Sequence, residues 1–479
     1  MTDIDDADRV AAGHQNAGTW RDLLGPRYLG ASTVLAGGVA LYATNEFLTI
    51  SLMPSAVADI GGQRLYAWVT TVYLVGSVVA ATTVHAVLMR WGPRRSYLFG
   101  LSMFGVGSLA CALAPTMELL LVGRAVQGAA GGMLAGLGYA VINTALPARL
   151  WTKASALVSA MWGVGTLIGP AAGGLFAQFG SWRWAFGVLV VMTTAMSVLV
   201  PVALPGRRAD DAAAPTRVGV PVRSLVLLGA AALLVSSAGV PHDVRATAGL
   251  VAAGLALIPV FVILDRRARA AVLPPSAFIP GPLKWIYLTL GTLMAATMVD
   301  MYVPLFAQRL AHLAPLAAGF LGAGLAVGWT AGEITSASVS RPAVIVRVVA
   351  VAPLMMAVGL TVGALTQRQD ASAAFVAAWA LSLVITGSGI GMAWPHLSAW
   401  AMCKVRDPAE GPAAAAAINT VQVICGAFGA ALAGVVVNVS DRGDATAAHW
   451  LFAVFAALAA SAVVAAIRSG RPVPGQGSR

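Results

Sequence analysis

Apolar stretches of about 20 residues follow one another along nearly the whole chain, and almost every charge falls in the short gaps between them. This alternation constrains the fold more than anything else in the sequence. About 20 apolar residues in a helix span the hydrocarbon of a bilayer, and in lipid a helix satisfies all its own backbone hydrogen bonds. Hydrophobic residues make up 58% of the chain and charged residues 10%, against about 25% charged in an ordinary soluble domain. One water-soluble core cannot hide that much apolar surface. The reading is an all-α, polytopic membrane protein.

Fourteen spans are predicted. Residues 1–28 form a cytoplasmic tail, and 29–204 hold six spans. A cytoplasmic linker at 205–221 leads to two further spans within 222–264, and a second linker occupies 265–283. Six more spans lie within 284–468, and 469–479 form a cytoplasmic tail. The thirty Lys and Arg residues test this layout. With the N-terminus inside, about 23 fall on the cytoplasmic side and about 6 outside, the bias expected of cytoplasmic loops. Arg124 alone falls within a span. The net charge of +11 is therefore a topology signal spread over many loops, and nucleic acid is not expected as a partner. The polar, acidic N-terminus lacks the basic-then-apolar order of a cleavable signal. The abundance of arginine and alanine suggests a GC-rich bacterial gene, hence a location in the cell (inner) membrane. The three cysteines show no zinc or disulfide spacing. A faint repeat relates the halves: GPAAGG at 169–174 pairs with GAALAG at 429–434, and Gly132-Met133 with Gly391-Met392. Paired halves around a central site are a common transporter plan.

Three stretches carry a family resemblance. GTLIGPAAGG at 165–174 fills every fixed position of G-x-x-x-G-P-x-x-G-G. RAVQGAAGG at 124–132 resembles a membrane-embedded Arg motif. HAVLMRWGPRR at 85–95 sits where a G-x-x-x-D-x-x-G-R-R loop is expected. Together they resemble the major facilitator superfamily, specifically its fourteen-span drug–proton antiporters. The resemblance implies two six-helix bundles with two additional linker helices, and alternating access with no cofactor. The proton gradient supplies the drive for multidrug efflux of small amphipathic or cationic substrates. No nucleotide-binding G-x-x-x-x-G-K-[ST] is present. Membrane lipids are the surroundings, and a monomer is expected. Alternatives are export of lipids or cell-envelope precursors, a proton-coupled importer, or a membrane-embedded transferase, which would need a reactive loop cluster that is not evident.

Ionisable groups inside the spans are few, and each costs at least ~2.5–3.5 kcal/mol if it faces lipid. Glu46, Arg124, Asp300 and Glu333 are the candidates for proton coupling. The antiporters commonly carry an acid just before an L-P pair in span one; here Asn45 takes that place and Glu46 follows it, about 100° round the helix. Glu46 is the first candidate partner for Arg124. Tyr42, Phe47, Tyr73, Trp162, Tyr302, Trp329 and Trp394 are candidates to line a substrate cavity suited to bulky cations. Gly165, Gly169 and Gly173 share one helix face, as do Gly324, Gly328 and Gly332. With Pro170 and Gly174 they suggest that spans five (154–179) and ten (314–338) pack closely across the halves. In the 85–95 loop, His85 and Met89 replace the resemblance's glycine and aspartate. Gly92, Arg90, Arg94 and Arg95 remain, and Asp407 is the candidate acid facing them from the other half.

Overall fold

The computed structural model describes residues 19–81, 83–204, 221–241, 243–268, 271–337, 339, 341–405, 407, 410–440 and 443–471. The described chain is helical, without a strand. The long helices are α1 (Leu29–Ile60), α2 (Tyr66–Ala81), α3 (Val84–Ala112), α4 (Met117–Ala140), α5 (Trp151–Phe179), α6 (Trp182–Ala203), α7 (Val222–Ser237) and α8 (Val244–Arg267). They continue with α9 (Leu283–Ala311), α10 (Pro315–Ala337), α11 (Pro342–Thr366), α12 (Ala373–Cys403), α13 (Gly411–Val439) and α14 (Asp444–Ser469).

Local chemistry sets several of their limits. Thr116, Ser181 and Asp243 stand just before α4, α6 and α8 and accept backbone N–H groups of the first turn, satisfying donors that a helix start leaves open. In α3, Gly92 has φ 74°, ψ 171° and Pro93 follows. A glycine adopts that conformation without steric cost, so the chain turns there and the basic residues Arg94 and Arg95 lie exposed on the second segment. α9 narrows to a 3-10 turn at Met298–Tyr302. Pro304 has no N–H to donate to the Asp300 carbonyl four residues back, and the Val303 N–H bonds that carbonyl instead.

Among the described residues, eleven helices are long and apolar enough to cross a membrane. The three others among the fourteen are α1, α3 and α7. The apolar run of the continuous helix α1 is broken by Asn45 and Glu46, α3 begins with the arginine-bearing turn, and α7 has only 16 residues.

The packing repeats. α1 packs on α5, α4 and α6; α2 on α4; α3 on α4 and α6. Eight helices later α9 packs on α13, α12 and α14; α10 on α12; α11 on α12 and α14. The contacts between the two sets repeat too: α5 meets α10, and α13 meets α2. The α7–α8 pair breaks this symmetry, because α7 lies against both α2 and α13 and covers that seam alone.

Glycines allow the closest crossings. A Cβ on Gly128 or Gly132 of α4 would overlap the Tyr73 or Ser77 carbonyl oxygen of α2. A Cβ on Gly387 or Gly391 of α12 would overlap the Leu325 or Trp329 carbonyl oxygen of α10. The same crossing is thus built twice, at matched positions. Gly391→Ala is expected to lower the thermal midpoint in detergent by the equivalent of ~1–3 kcal/mol or more. Gly163→Ala, where nothing lies within 4 Å of the added methyl, should leave it unchanged or raise it. Equal effects from the two would contradict this account of the crossings.

Candidate functional site

Arg124 is 1% exposed and is the largest fully buried side chain described. Its position on α4 turns it towards α2. Its NH1 donates to Gln127 Oε1 at 2.9 Å, its Nε to the Val69 carbonyl at 3.4 Å, and its guanidinium lies 4.0 Å from the Tyr73 ring centroid. Gln127 passes the network on, its Nε2 donating to Ser108 Oγ at 2.8 Å. A permanent charge is thereby given a carbonyl, an amide oxygen and an aromatic face.

The direct Arg124–Glu46 contact expected from the sequence is not what is found. Asn45, fully buried, takes the inward position on α1 and leaves Glu46 turned aside by about 100°. The Glu46 Oε2 is shut off from solvent and has no hydrogen-bond partner.

Asp300 stands in the 3-10 turn of α9, and its Oδ1 is likewise enclosed and without a hydrogen-bond partner. A methyl on Gly322 of α10 would come within 3.3 Å of that oxygen. Glu46 lies as far into α1 from Leu29 as Asp300 lies into α9 from Leu283. α1 and α9 occupy matching places in the two sets, yet packing sets the acids at different depths: Gly169 of α5 lies against Thr44 and Phe47 of α1, and Gly429 of α13, its partner in the repeat, lies against Ala295 of α9, more than a turn before Asp300.

Glu333 is half-buried on α10. One turn away, Ser336 Oγ donates to the Met392 carbonyl at 2.7 Å and lies 2.8 Å from His396 Nε2. With its own proton committed, Ser336 accepts from His396, which fixes the proton on Nε2.

The candidate aromatic residues separate into groups instead of lining one array. Tyr42 stacks on Tyr73 with centroids 5.5 Å apart, and Trp162 meets Tyr42 edge-on at 5.4 Å. Ala427 of α13 and Ala232 of α7 close the same cluster. Trp329 and Trp394 pair at 5.3 Å on α10 and α12. Tyr302 belongs elsewhere, stacked between Tyr66 at 4.7 Å and Phe306 at 5.9 Å. Phe47 lies on α1 beside Gly169.

The glycine stripes also differ from expectation. Gly165, Gly169 and Gly173 face Ala43, Phe47 and Leu48 of α1, while Gly328 and Gly332 face Val384 and Ser388 of α12, with Gly324 beside Leu383. α5 does meet α10, but through Gly174 against Leu316, and through Gly319 against the Pro170 carbonyl. Small residues at a four-residue spacing identify a smooth face without naming the helix that meets it. Pro170 stays within the continuous helix α5.

Of the basic turn, Arg90, Arg94, Arg95 and Asp407 are exposed; the His85 side chain lies outside the described residues. Glu410, in the same segment as Asp407, accepts the Ser276 backbone N–H at 3.0 Å.

Sequence reasoning missed the end of the molecule far from the termini, here the distal end. There Tyr66 Oη donates to the Met301 carbonyl at 3.1 Å and Arg309 reaches Gln63 Oε1 at 2.9 Å and Asp444 at 3.0 Å. Asn438 Nδ2 donates to the Arg64 carbonyl at 2.9 Å, and the Leu316 N–H to Gln178 Oε1 at 3.4 Å. Arg183 pairs with Asp59 and bonds the Ala114 carbonyl, which accounts for the SWRWAF segment at 181–186. Among the described residues no His, Cys, Asp and Glu side chains group as a metal site.

The profile of the Major Facilitator Superfamily matches residues 35–430. A probable multidrug-efflux transporter of Mycobacterium tuberculosis is 63% identical over 456 residues, covering 94% of this chain and 96% of its own. Multidrug resistance protein 3 of Bacillus subtilis is 33% identical over 154 residues, covering 32% and 30%. Among solved structures, a D-xylose–proton symporter overlays with a TM-score of 0.65 at 15% identity, covering 93% of this chain and 100% of its own. An inward-facing bacterial homologue of the human lysosomal transporter Spinster does so with 0.63 at 12% identity, covering 93% and 97%. These overlays establish the fold.

Gln127→Leu removes an acceptor from a buried charge, a loss worth ~1–3 kcal/mol or more. The expected outcome is a lowered thermal midpoint in detergent, with Arg124→Lys similarly affected because an ammonium cannot reproduce the planar contacts. A Gln127→Leu protein as stable as the native one would contradict the assignment.

Proposed function

The chain belongs to the Major Facilitator Superfamily, a family of transporters and not of enzymes, and from that premise we propose that it exports hydrophobic and amphipathic compounds in exchange for protons. The observation that carries this reading is the near full-length likeness to a probable multidrug-efflux transporter. The complete G-x-x-x-G-P-x-x-G-G stretch at 165–174 supports it as well. Cargo moves outward by alternating access between the bundles 29–204 and 284–468, with 222–264 as the two additional helices of a fourteen-span chain. The protein works as a monomer in the cell membrane, with both termini cytoplasmic, as the Lys and Arg bias favours. No cofactor is required. Each inward proton brings about 2.3 kcal/mol per 100 mV, besides the pH difference.

In this reading Glu46 carries the exchanged proton and Asp300 is the second-half proton site. An apolar surround favours the neutral form of a carboxyl group, so each acid is neutral while enclosed and ionises when its side opens to water. Arg124 holds α2 and α4 in register beside Glu46. Glu333 with the Trp329–Trp394 pair, and Tyr42 with Tyr73 and Trp162, offer aromatic faces to a cationic cargo. Arg90, Gly92, Arg94, Arg95 and Asp407 form the cytoplasmic gate. The Mycobacterium tuberculosis relative is a probable multidrug-efflux transporter; lipid or envelope-precursor export on the same fold is the second outcome of the assay.

The test is transport in reconstituted vesicles with an imposed pH gradient, against a panel of cationic dyes and lipids. Native protein is expected to move at least one dye only when the gradient is present. Glu46→Gln should lose about tenfold or more of that gradient-driven movement while still binding the dye. Gradient-independent movement, or an unimpaired Glu46→Gln protein, would overturn the proposal.

A further inference from the structure

We propose that the Tyr66 hydroxyl and the Met298–Tyr302 turn form a latch at the distal end whose closure depends on the charge of Asp300. The inference rests on the proton-coupled reading above and assigns it a mechanical element.

Three features of one turn carry it. Met301 supplies the carbonyl that accepts the Tyr66 hydroxyl at 3.1 Å. Tyr302 supplies the ring that stacks on Tyr66 at 4.7 Å with 23° between planes. Asp300, their immediate neighbour, has an oxygen enclosed with no hydrogen-bond partner. Tyr66 opens α2 in the first half, and the turn belongs to α9 in the second. The same five residues therefore hold the titrating group and two contacts that bind the halves together distally. Tyr66 and Tyr302 are fully buried, so the stack cannot part without exposing both rings.

The surroundings of Asp300 settle the direction. α1, α10, α13 and α14 pack against this turn. α1 brings Glu46, and Asp59 paired with Arg183. α10 brings Gly322 beside the carboxyl and carries Glu333 towards its far end. α13 contributes Cys425. α14 contributes Asp444, held by Arg309, together with His449, whose Nδ1 lies 3.0 Å from the Ala364 carbonyl, and Arg468 at its far end. Near the turn at the distal end stand also Tyr66, Arg64 and Arg309, which bond the Met301 carbonyl, the Val240 carbonyl, and Gln63 with Asp444 respectively, and Tyr302, whose hydroxyl is enclosed without a hydrogen-bond partner. No positive side chain among these bonds the carboxylate. Asp300 is half-buried, with Oδ1 shut off from solvent and unpartnered; holding an ionised carboxylate with one oxygen so enclosed is costly, so the latched arrangement favours neutral Asp300 and is opposed by its charge.

The cycle follows in order. With the distal side open, ionised Asp300 is hydrated. It takes a proton from that side, the turn settles against Tyr66, and the end closes. Loss of the proton to the other side leaves a charge in the closed turn and drives reopening. Pro304 matters because it prevents the turn from relaxing into regular helix. Tyr66 acts through the turn and touches no cargo, which makes it a positioning residue.

The test needs no substrate. Spin labels at Phe179→Cys and Leu365→Cys, in a Cys403→Ser background, mark the distal ends of α5 and α11. Both positions are well exposed, at 72% and 73%. Distances are measured by pulsed electron resonance in reconstituted vesicles between about pH 5 and about pH 9. The ratio of long to short distances is expected to rise by about tenfold or more across that range in the native protein. Asp300→Asn should hold the short distance throughout, and Tyr66→Phe should show the long distance even at acid pH. If Asp300→Asn keeps the native pH response, or Tyr66→Phe leaves the distances unchanged, the latch is refuted. Coupled export that persists with such distances would leave the exporter reading standing and remove only the latch. The predicted distance changes in a protein that moves no compound would do the reverse.

Discussion

A guanidinium stays charged at any physiological pH, so a chain that buries one in its interior is obliged to build acceptors around it. Arg124 is given the Val69 carbonyl, the Gln127 amide and the Tyr73 ring. These few contacts fix the rotation of α2 against α4. Gly128 and Gly132 then let the two backbones come together, and the Tyr73 hydroxyl donates to the Tyr42 carbonyl of α1 at 3.1 Å. Through that chain of contacts the charge of α4 sets where α1 presents Asn45 inward and Glu46 aside. The candidate proton carrier owes its enclosed position to a network in which it makes no hydrogen bond.

The second half repeats the frame without repeating the charge. Gly387 and Gly391 reproduce the close crossing on α10, and α9, which matches α1, carries an acid of its own, Asp300. Among the described residues no buried arginine accompanies it; the Trp329–Trp394 pair and the His396–Ser336 contact occupy the inner part of the α10–α12 crossing. The α7–α8 pair adds a further asymmetry. The Trp68 indole donates to the Ser236 carbonyl at 3.0 Å, and Arg64 reaches the Val240 carbonyl at 2.9 Å. One seam between halves is therefore covered by extra helices, while the α5–α10 seam has no such cover and is closed by direct contact of the two helices, closest at Gly174 and Gly319.

Much of this was legible in the sequence, for identifiable reasons. Apolar length gave the helices, because a run of that length can satisfy its backbone in lipid only as a helix. The Gly132–Gly391 correspondence was visible because only glycine fits where a neighbouring carbonyl lies so close. Which helix a glycine stripe meets was not legible, since Gly165, Gly169 and Gly173 would suit α1 or α10 equally until tertiary packing chose α1. Nor was the separation of Tyr302 from the other aromatic residues, which depends on the turn that Pro304 imposes. The partner of Arg124 was misjudged because a one-residue shift, from Asn45 to Glu46, turns a side chain by about 100°. The distal hydrogen bonds join residues hundreds of positions apart, often through backbone carbonyls, and leave no local pattern to read.

The central claim is that cargo and protons move in opposite directions through one enclosed pathway. Its most direct measurement imposes a gradient of a transported dye across vesicles that start with equal pH on both sides, and follows internal pH. The account predicts that dye leaving down its gradient drives protons in, so that the interior acidifies, and that this stops when the dye gradient is removed. Dye movement with no displacement of protons, or with protons carried in the same direction, would contradict it.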